Sequence, residues 1–219
     1  GTGVLLSGFA QAAEGKLDVE VIPYPEDRAM DYEELAVYVA GKLPKSQRYL
    51  LLGESFGGPL ALKIAEKRPP GLVGVVLCAS FARFPVSSVR LLWPAARIAP
   101  VWVPPEIMLS WMLLGRWTSR ALVQQLSGVL RRLNPDLLRV RAAAALRVDV
   151  HGVVSRLSLP LLLLRATEDR VISASAVSAM VRAAPEAVVA DVSAPHFILQ
   201  TAPVECVSIV AAFARGAAF

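Results

Sequence analysis

Short, almost continuous runs of Val, Leu and Ile alternate along this chain with stretches of helical spacing. The apolar runs cover residues 4–7, 19–23, 48–53, 72–78, 160–165 and 187–192. The helical stretches cover residues 32–43, 57–67, 173–184 and 203–214. Strands that are apolar at every position are typical of a parallel sheet whose two faces are covered by the connecting helices. The pattern therefore predicts an α/β fold with a mostly parallel sheet flanked by helices.

One long segment interrupts this alternation. Between residues 78 and 160 the sequence has no strand pattern, several prolines, and helical spacing in residues 109–114, 119–133 and 137–147. A connection of that length inside a compact domain is usually a functional insertion such as a lid. We therefore predict a single domain over residues 1–219, with a helical lid inserted at residues 83–150.

The composition argues against two classes of protein. Hydrophobic residues make up 55% of the chain and charged residues 19%, which is too apolar for intrinsic disorder. The longest run without Asp, Glu, Lys or Arg is residues 69–82, shorter than the ~20 residues of a membrane-spanning helix. With no signal-peptide pattern, we expect a cytoplasmic protein without a transmembrane span, in which Cys78 and Cys206 are core thiols.

Positive charge is concentrated in the insertion. The net charge is +5, and residues 83–149 contain ten arginines but only three acidic residues. Because these arginines alternate with Trp, Leu and Val and no nucleic-acid-binding motif accompanies them, we expect no nucleic-acid partner. Arginine stems cover apolar surface while their guanidinium groups stay hydrated. Such a face could also make transient contact with a membrane surface or with an acidic acyl carrier protein.

The sequence Gly53-Glu54-Ser55-Phe56-Gly57 follows a predicted strand and precedes a predicted helix. A nucleophile elbow has this G-x-S-x-G pattern and this context, with the serine strained at the tip of a sharp turn. Gly53 and Gly57 are small because the strand and the helix approach each other too closely there for side chains. We predict that Ser55 is a nucleophile.

A serine hydroxyl needs an adjacent base to remove its proton, and a carboxylate to orient that base. Of the two histidines, His196 follows the last predicted strand and is the expected base, whereas His151 is expected to be structural or exposed. Asp169 follows a predicted strand and is favoured as the acid over Glu168 and Asp191. The chain order of serine, aspartate and histidine is that of the nucleophile-elbow enzymes.

The charged intermediate of acyl transfer needs two backbone N–H donors. The residue after the nucleophile, Phe56, is expected to supply one. The other is expected from Phe9, in the loop after the first predicted strand, where Gly8 would allow a close approach to substrate.

Together these residues resemble the α/β-hydrolase superfamily, over nearly the whole chain. Residues 53–57 match its nucleophile elbow, residues 168–170 its acid loop, and residues 195–197 its histidine loop. The resemblance implies a catalytic triad of Ser55, Asp169 and His196 that needs no metal or organic cofactor. It also implies a strand order of 4-3-5-6-7-8 by family numbering.

The chain departs from the family pattern in two ways. The family usually has two further strands before the oxyanion loop, so this chain resembles a shortened member. The family's loop commonly begins His-Gly, whereas this one reads Ser7-Gly8. A serine rather than an aspartate at position 55 implies ester, thioester or amide hydrolysis, with hydroxynitrile lyase activity as a rarer outcome, instead of dehalogenase or epoxide hydrolase chemistry.

All four tryptophans lie in the insertion, at Trp93, Trp102, Trp111 and Trp117. A lid rich in Trp, Leu and Met over Ser55 would form an apolar acyl pocket, although packing on the sheet explains some of them equally well. We expect a monomeric carboxylesterase or lipase-like enzyme that cleaves a small ester with an apolar acyl group. Two alternatives stay open: a hydrolase of acyl esters or thioesters on an acyl carrier protein, and a non-catalytic lipid-binding module.

Overall fold

A computed structural model describes residues 3–84, 94, 105–132 and 134–216 of the chain. Its sheet consists of β1 (Tyr49–Glu54), β2 (Leu72–Cys78), β3 (Leu161–Ala166) and β4 (Val188–Val192). All neighbouring strands are parallel, and their order in the sheet is β1-β2-β3-β4. The carboxyl ends of the four strands therefore lie along one edge, where the loops of such sheets bind ligands. This is the predicted parallel α/β architecture.

Helices cover both faces of the sheet. The helices in the described ranges are α1 (Ser7–Ala13), α2 (Tyr32–Ala40), α3 (Gly57–Glu66), α4 (Glu106–Leu113), α5 (Arg120–Arg132), α6 (Pro135–Arg147), α7 (His151–Arg156), α8 (Ala174–Ala183), α9 (Ile198–Thr201) and α10 (Pro203–Gly216). Val75 and Leu77 of β2 belong to a buried cluster with α2, α3, α7 and α8. Val76 and Cys78 face the other way, into a cluster with α1, α9 and α10. Alternate side chains are thus buried on opposite faces, which explains why the strand sequence is apolar throughout.

The first two predicted strands are wrong. Residues 4–7 form a 3₁₀ turn, Val4–Leu6, that leads directly into α1, and residues 19–23 are not paired in the sheet. Gly3, at φ 77°, starts the turn in a left-handed conformation, and its carbonyl accepts from Leu6 N–H at 3.0 Å. An apolar run of four or five residues does not by itself distinguish a helix from a strand. The sheet of the described chain begins at β1.

The segment between β2 and β3 is helical. Helices α4, α5 and α6 overlap the three predicted helical stretches, and Asn134 caps α6 by accepting the N–H of Asp136 at 2.9 Å. Arg83 and Asp149 pair at the two ends of the segment through an isolated antiparallel bridge and an ion pair of 2.5 Å. Within the described ranges, no helix is long and apolar enough to cross a membrane.

Candidate active site

Ser55 lies in the sharp turn between β1 and α3, with a positive φ of 49°. This turn needs residues without a side chain beside it. A methyl group added at Gly53 would lie 2.3 Å from the carbonyl oxygen of Gly57, and one added at Gly58 would lie 1.8 Å from Ser80 Oγ. Gly53 is therefore required by the close approach of β1 and α3, and Gly58 by the Ser80 side chain. A methyl group added at Gly57 would meet only the Tyr24 hydroxyl, at 3.3 Å, so crowding by the strand does not explain that glycine.

Backbone hydrogen bonds hold Ser55 in its strained conformation. Its N–H donates to the carbonyl of Cys78 at the end of β2, at 2.9 Å. Its carbonyl accepts from Ser80 Oγ at 2.8 Å and from Gly58 N–H at 3.1 Å. A left-handed conformation costs a non-glycine residue of order 1–3 kcal/mol, so it persists only where the surroundings determine it, as here.

The side chains of Ser55, His196 and Asp169 form a chain of hydrogen bonds. Ser55 Oγ lies 2.8 Å from His196 Nε2, and His196 Nδ1 lies 2.9 Å from Asp169 Oδ2 and 3.1 Å from Oδ1. The side chains of His196 and Asp169 are 3% and 6% exposed. Such a chain can accept a proton from a hydroxyl at one end and stabilise the resulting imidazolium at the other.

The loops that carry Asp169 and His196 are joined beyond the ends of β3 and β4. Thr167 N–H donates to Val192 O, and Glu168 N–H donates to Ala194 O, each at 3.0 Å. Asp169 Oδ1 in turn accepts the backbone N–H groups of Val171 and Ile172, at 2.7 and 2.8 Å. These bonds fix the direction of the carboxylate toward the imidazole.

The structure places the other candidate residues elsewhere. Glu168 forms an exposed ion pair of 2.5 Å with Arg116. Asp191 pairs with Arg165 on the neighbouring strand, and hydrogen bonding to that guanidinium lowers the pKa of the Asp191 carboxyl. His151 lies at the start of α7, with its Nε2 3.3 Å from the carbonyl of Ala179, a structural position as predicted.

Phe56 is fixed by a residue that the sequence analysis missed. Its ring stacks on Tyr32 with centroids 4.4 Å apart, and the Tyr32 hydroxyl donates to its carbonyl at 3.0 Å. Burial raises the pKa of Tyr32 well above its usual value, so the hydroxyl remains a donor. Phe56 is the residue just before α3, so its N–H lies at the amino end of the helix, which offers no acceptor for it.

The loop expected around Phe9 is absent. Phe9 is the third residue of α1, and its ring is buried in the same cluster as Ala13 and Ala79. The predicted strand at residues 4–7 does not form, and residues 7–10 instead continue the 3₁₀ turn into α1. The Phe9 N–H therefore lies in the first turn of α1, not in a loop.

Two of the four tryptophans lie in the described part of the insertion. Trp111 of α4 is 60% exposed, and the Arg170 guanidinium lies 4.5 Å from its ring centroid. Trp117 lies in a 3₁₀ turn (Gly115–Trp117), with the Arg116 guanidinium 4.3 Å from its ring. The other two, Trp93 and Trp102, lie outside the described residues.

The insertion contacts both of the loops that carry the buried pair. Leu113 O accepts the N–H of Phe197, the residue after His196, at 3.1 Å. Trp111 O accepts from the guanidinium of Arg170, the residue after Asp169, at 2.6 Å. Arg116 adds its ion pair with Glu168. We call these three contacts the clamp.

The second residue of the turn motif also has partners that no sequence pattern indicated. Glu54 is partly buried, and its carboxylate accepts from Leu199 N–H at 3.2 Å and from Gln200 Nε2 at 2.9 Å. Burial raises the pKa of this carboxyl above its usual value. An acidic residue at the end of an otherwise apolar strand was the only signal in the sequence. Among the described residues, no group of three or more His, Cys, Asp or Glu could hold a metal ion.

The family model Hydrolase_4, described as "Serine aminopeptidase, S33", matches residues 20–197. A comparison with curated proteins found no match. Among solved structures, the chain is similar to a lipase-esterase related protein from Clostridium acetobutylicum ATCC 824, with 15% identity, a TM-score of 0.71, and coverage of 95% of this chain and 88% of that one.

Two further solved structures are similar to a comparable extent. A thermophilic esterase is 18% identical, with a TM-score of 0.68 and coverage of 87% of this chain and 75% of the esterase. The enol-lactonase from Burkholderia xenovorans LB400 is 16% identical, with a TM-score of 0.66 and coverage of 85% and 74%. At these identities the likeness shows the fold alone.

Proposed function

We propose that this chain, which belongs to the serine aminopeptidase S33 family of α/β-hydrolases, is a serine hydrolase that cleaves carboxylic esters with an apolar acyl group. The observation that carries the proposal is the hydrogen-bonded chain from Ser55 Oγ through His196 to Asp169. An ester is favoured because the similar solved structures include an esterase and an enol-lactonase, whose names describe cleavage of ester bonds.

Acylation follows from this geometry. As Ser55 Oγ attacks the ester carbonyl carbon, its proton moves to His196 Nε2, 2.8 Å away. The tetrahedral intermediate collapses when the bond to the leaving alkoxide breaks, and the alkoxide takes the proton from His196. An acyl group now occupies Ser55. A water molecule then attacks that acyl carbon, gives its proton to His196, and Ser55 recovers this proton as the acid leaves.

Asp169 and Phe56 have supporting roles in the proposal. Asp169 accepts from His196 Nδ1–H, which leaves Nε2 free to act as the base and stabilises the imidazolium. The N–H of Phe56, at the amino end of α3, is one donor to the oxyanion, with the positive end of the helix dipole behind it.

We further propose that residues 83–150 act as a lid over Ser55. The clamp supports this assignment, because it attaches the insertion to Arg170 and Phe197, the residues that follow Asp169 and His196. Its Leu, Met and Trp side chains are suited to an apolar acyl chain. Each methylene of acyl chain that becomes buried adds about 0.8 kcal/mol to binding.

The proposal is tested by steady-state kinetics on p-nitrophenyl esters of graded chain length, with matched p-nitroanilides for comparison. Wild-type protein should hydrolyse the esters faster than the anilides, with kcat/KM increasing from the acetate toward longer acyl chains. Ser55→Ala should lower kcat by at least ~10⁴-fold. Ser208→Ala, at an exposed serine of α10, should have no effect. Near-normal turnover by Ser55→Ala would refute the mechanism, and faster cleavage of anilides would refute the substrate class.

A further inference from the structure

Glu54 connects the two segments that carry the nucleophile and the base. It immediately precedes Ser55 at the end of β1, and its carboxylate binds Leu199 N–H and the Gln200 side chain. Leu199 and Gln200 belong to α9, which begins two residues after His196. Residues about 145 positions apart in the chain are thereby joined just behind the contact between Ser55 and His196.

Helix α9 depends on such a contact. It has four residues, Ile198–Thr201, too few for a helix to be stable without tertiary interactions. Leu199 lies in its first turn, where backbone N–H groups have no acceptor within the helix, and Leu199 itself is 1% exposed. Glu54 therefore supplies an acceptor to a buried donor that would otherwise be unpaired.

We propose that Glu54 is a positioning residue that holds the His196 segment at the distance from Ser55 needed for proton transfer. The role rests on the proposed function and deepens it, because it assigns the second residue of the Gly53–Gly57 motif, Glu54, to the positioning of His196. Glu54 acts as a hydrogen-bond acceptor. The titratable groups near it in the described chain are His196, Asp169, Cys78 and Cys206.

The first test compares variants by their rate of reaction with a fluorophosphonate, which modifies only an activated serine. Glu54→Leu keeps the volume but removes both acceptors, and should react at least about tenfold more slowly, since small displacements of a catalytic group are costly. Glu54→Gln should react within about threefold of wild type. Its amide oxygen can accept from Leu199, and its amide N–H can donate to Gln200 Oε1, which is buried without a partner in the described chain.

Matched variants separate positioning from loss of stability. Val207→Ala removes buried side-chain volume from α10, in the cluster that contains Leu199, and should leave the reaction rate of the folded protein unchanged. Gln200→Leu removes the hydrogen bond from Gln200 to Glu54 but keeps the one from Leu199, and should slow the reaction with the fluorophosphonate. In the Glu54→Leu background, Gln200→Leu should lower the reaction rate by a smaller factor than it does in wild type, because the two residues share one contact.

Hydrogen–deuterium exchange of peptides covering residues 195–202 supplies a readout that does not depend on activity. Exchange should be faster in Glu54→Leu and Gln200→Leu than in wild type, Glu54→Gln or Val207→Ala. The positioning role would be overturned if Glu54→Leu reacted and exchanged at the same rates as wild type. It would also be overturned if Glu54→Gln and Glu54→Leu reacted equally slowly. A wild-type protein that does not react at all would instead overturn the proposed function, while the exchange data would still decide the positioning role.

Discussion

The backbone N–H of Phe197 donates a hydrogen bond of 3.1 Å to the carbonyl oxygen of Leu113. Phe197 follows His196 in the chain, and Leu113 is the last residue of α4. The same helix accepts from Arg170, the residue after Asp169. A segment inserted between β2 and β3 is therefore attached to the loops that carry His196 and Asp169, and movement of this segment should displace both loops.

The clamp predicts that loss of the Arg170 side chain lowers the proposed activity. Its guanidinium donates to Trp111 O at 2.6 Å and lies over the Trp111 ring, so Arg170→Ala removes both contacts with α4. We expect kcat/KM for the preferred ester to fall about tenfold, since the loop of Asp169 loses a support. Steady-state kinetics measures the change. Arg120→Ala, at an exposed arginine of α5, is the control, and an equal effect of the two substitutions would contradict the clamp.

The turn around Ser55 should not tolerate a methyl group at Gly53 or Gly58. The added carbon would lie 2.3 Å from a backbone oxygen at Gly53 and 1.8 Å from Ser80 Oγ at Gly58. We expect either alanine substitution to lower the free energy of unfolding by about 3 kcal/mol or more, measured by chemical denaturation.

The control for these substitutions is Gly128, in the interior of α5, where an added methyl group meets no atom within 4 Å. Gly128→Ala should raise the free energy of unfolding by about 0.5–1 kcal/mol, because alanine restricts the unfolded chain and favours helix. Destabilisation at Gly128 as large as at Gly53 would show that close approach is not the cause.

The raised pKa of Glu54 gives a stability effect that depends on pH. Because burial raises this pKa, the folded state binds the proton more tightly than the unfolded state. The contribution of the carboxyl to stability is then fully present below its usual pKa, and is lost as pH rises through the folded value. Glutamine does not titrate. The free energy of unfolding of Glu54→Gln, relative to wild type, should therefore increase as the pH rises above the usual range of a glutamate carboxyl, about 4. A difference that stays constant as the pH rises would contradict the shift.

The buried strands were predictable because their side chains must be apolar on both faces. Leu161–Leu164 and Leu72–Cys78 are continuous apolar runs of strand length, bounded by other elements. The run at residues 4–7 has the same composition but forms a turn and a helix, because no neighbouring strand pairs with it. The local sequence determines the preference of a segment for strand or helix, whereas the pairing of strands depends on the rest of the chain.

The proximity of Ser55, Asp169 and His196 could be anticipated because each follows a strand whose carboxyl end lies at the same edge of the sheet. The partners of Glu54 could not. Its contacts with Leu199 and Gln200 depend on the path of a loop after β4, which no periodicity describes. The clamp is a similar case, since Leu113 and Phe197 are ordinary apolar residues whose contact is made through the backbone.

Pairing of Ser55 with His196 is tested by mass spectrometry of the intact and digested protein after treatment with a fluorophosphonate. We expect one covalent adduct per chain, on Ser55, and its loss in both Ser55→Ala and His196→Ala, since the hydroxyl reacts only when the imidazole removes its proton. Ser208→Ala should be labelled like wild type. An unmodified wild-type protein, or an adduct that persists in His196→Ala at the wild-type rate, would contradict the proposal that these two residues form a catalytic pair.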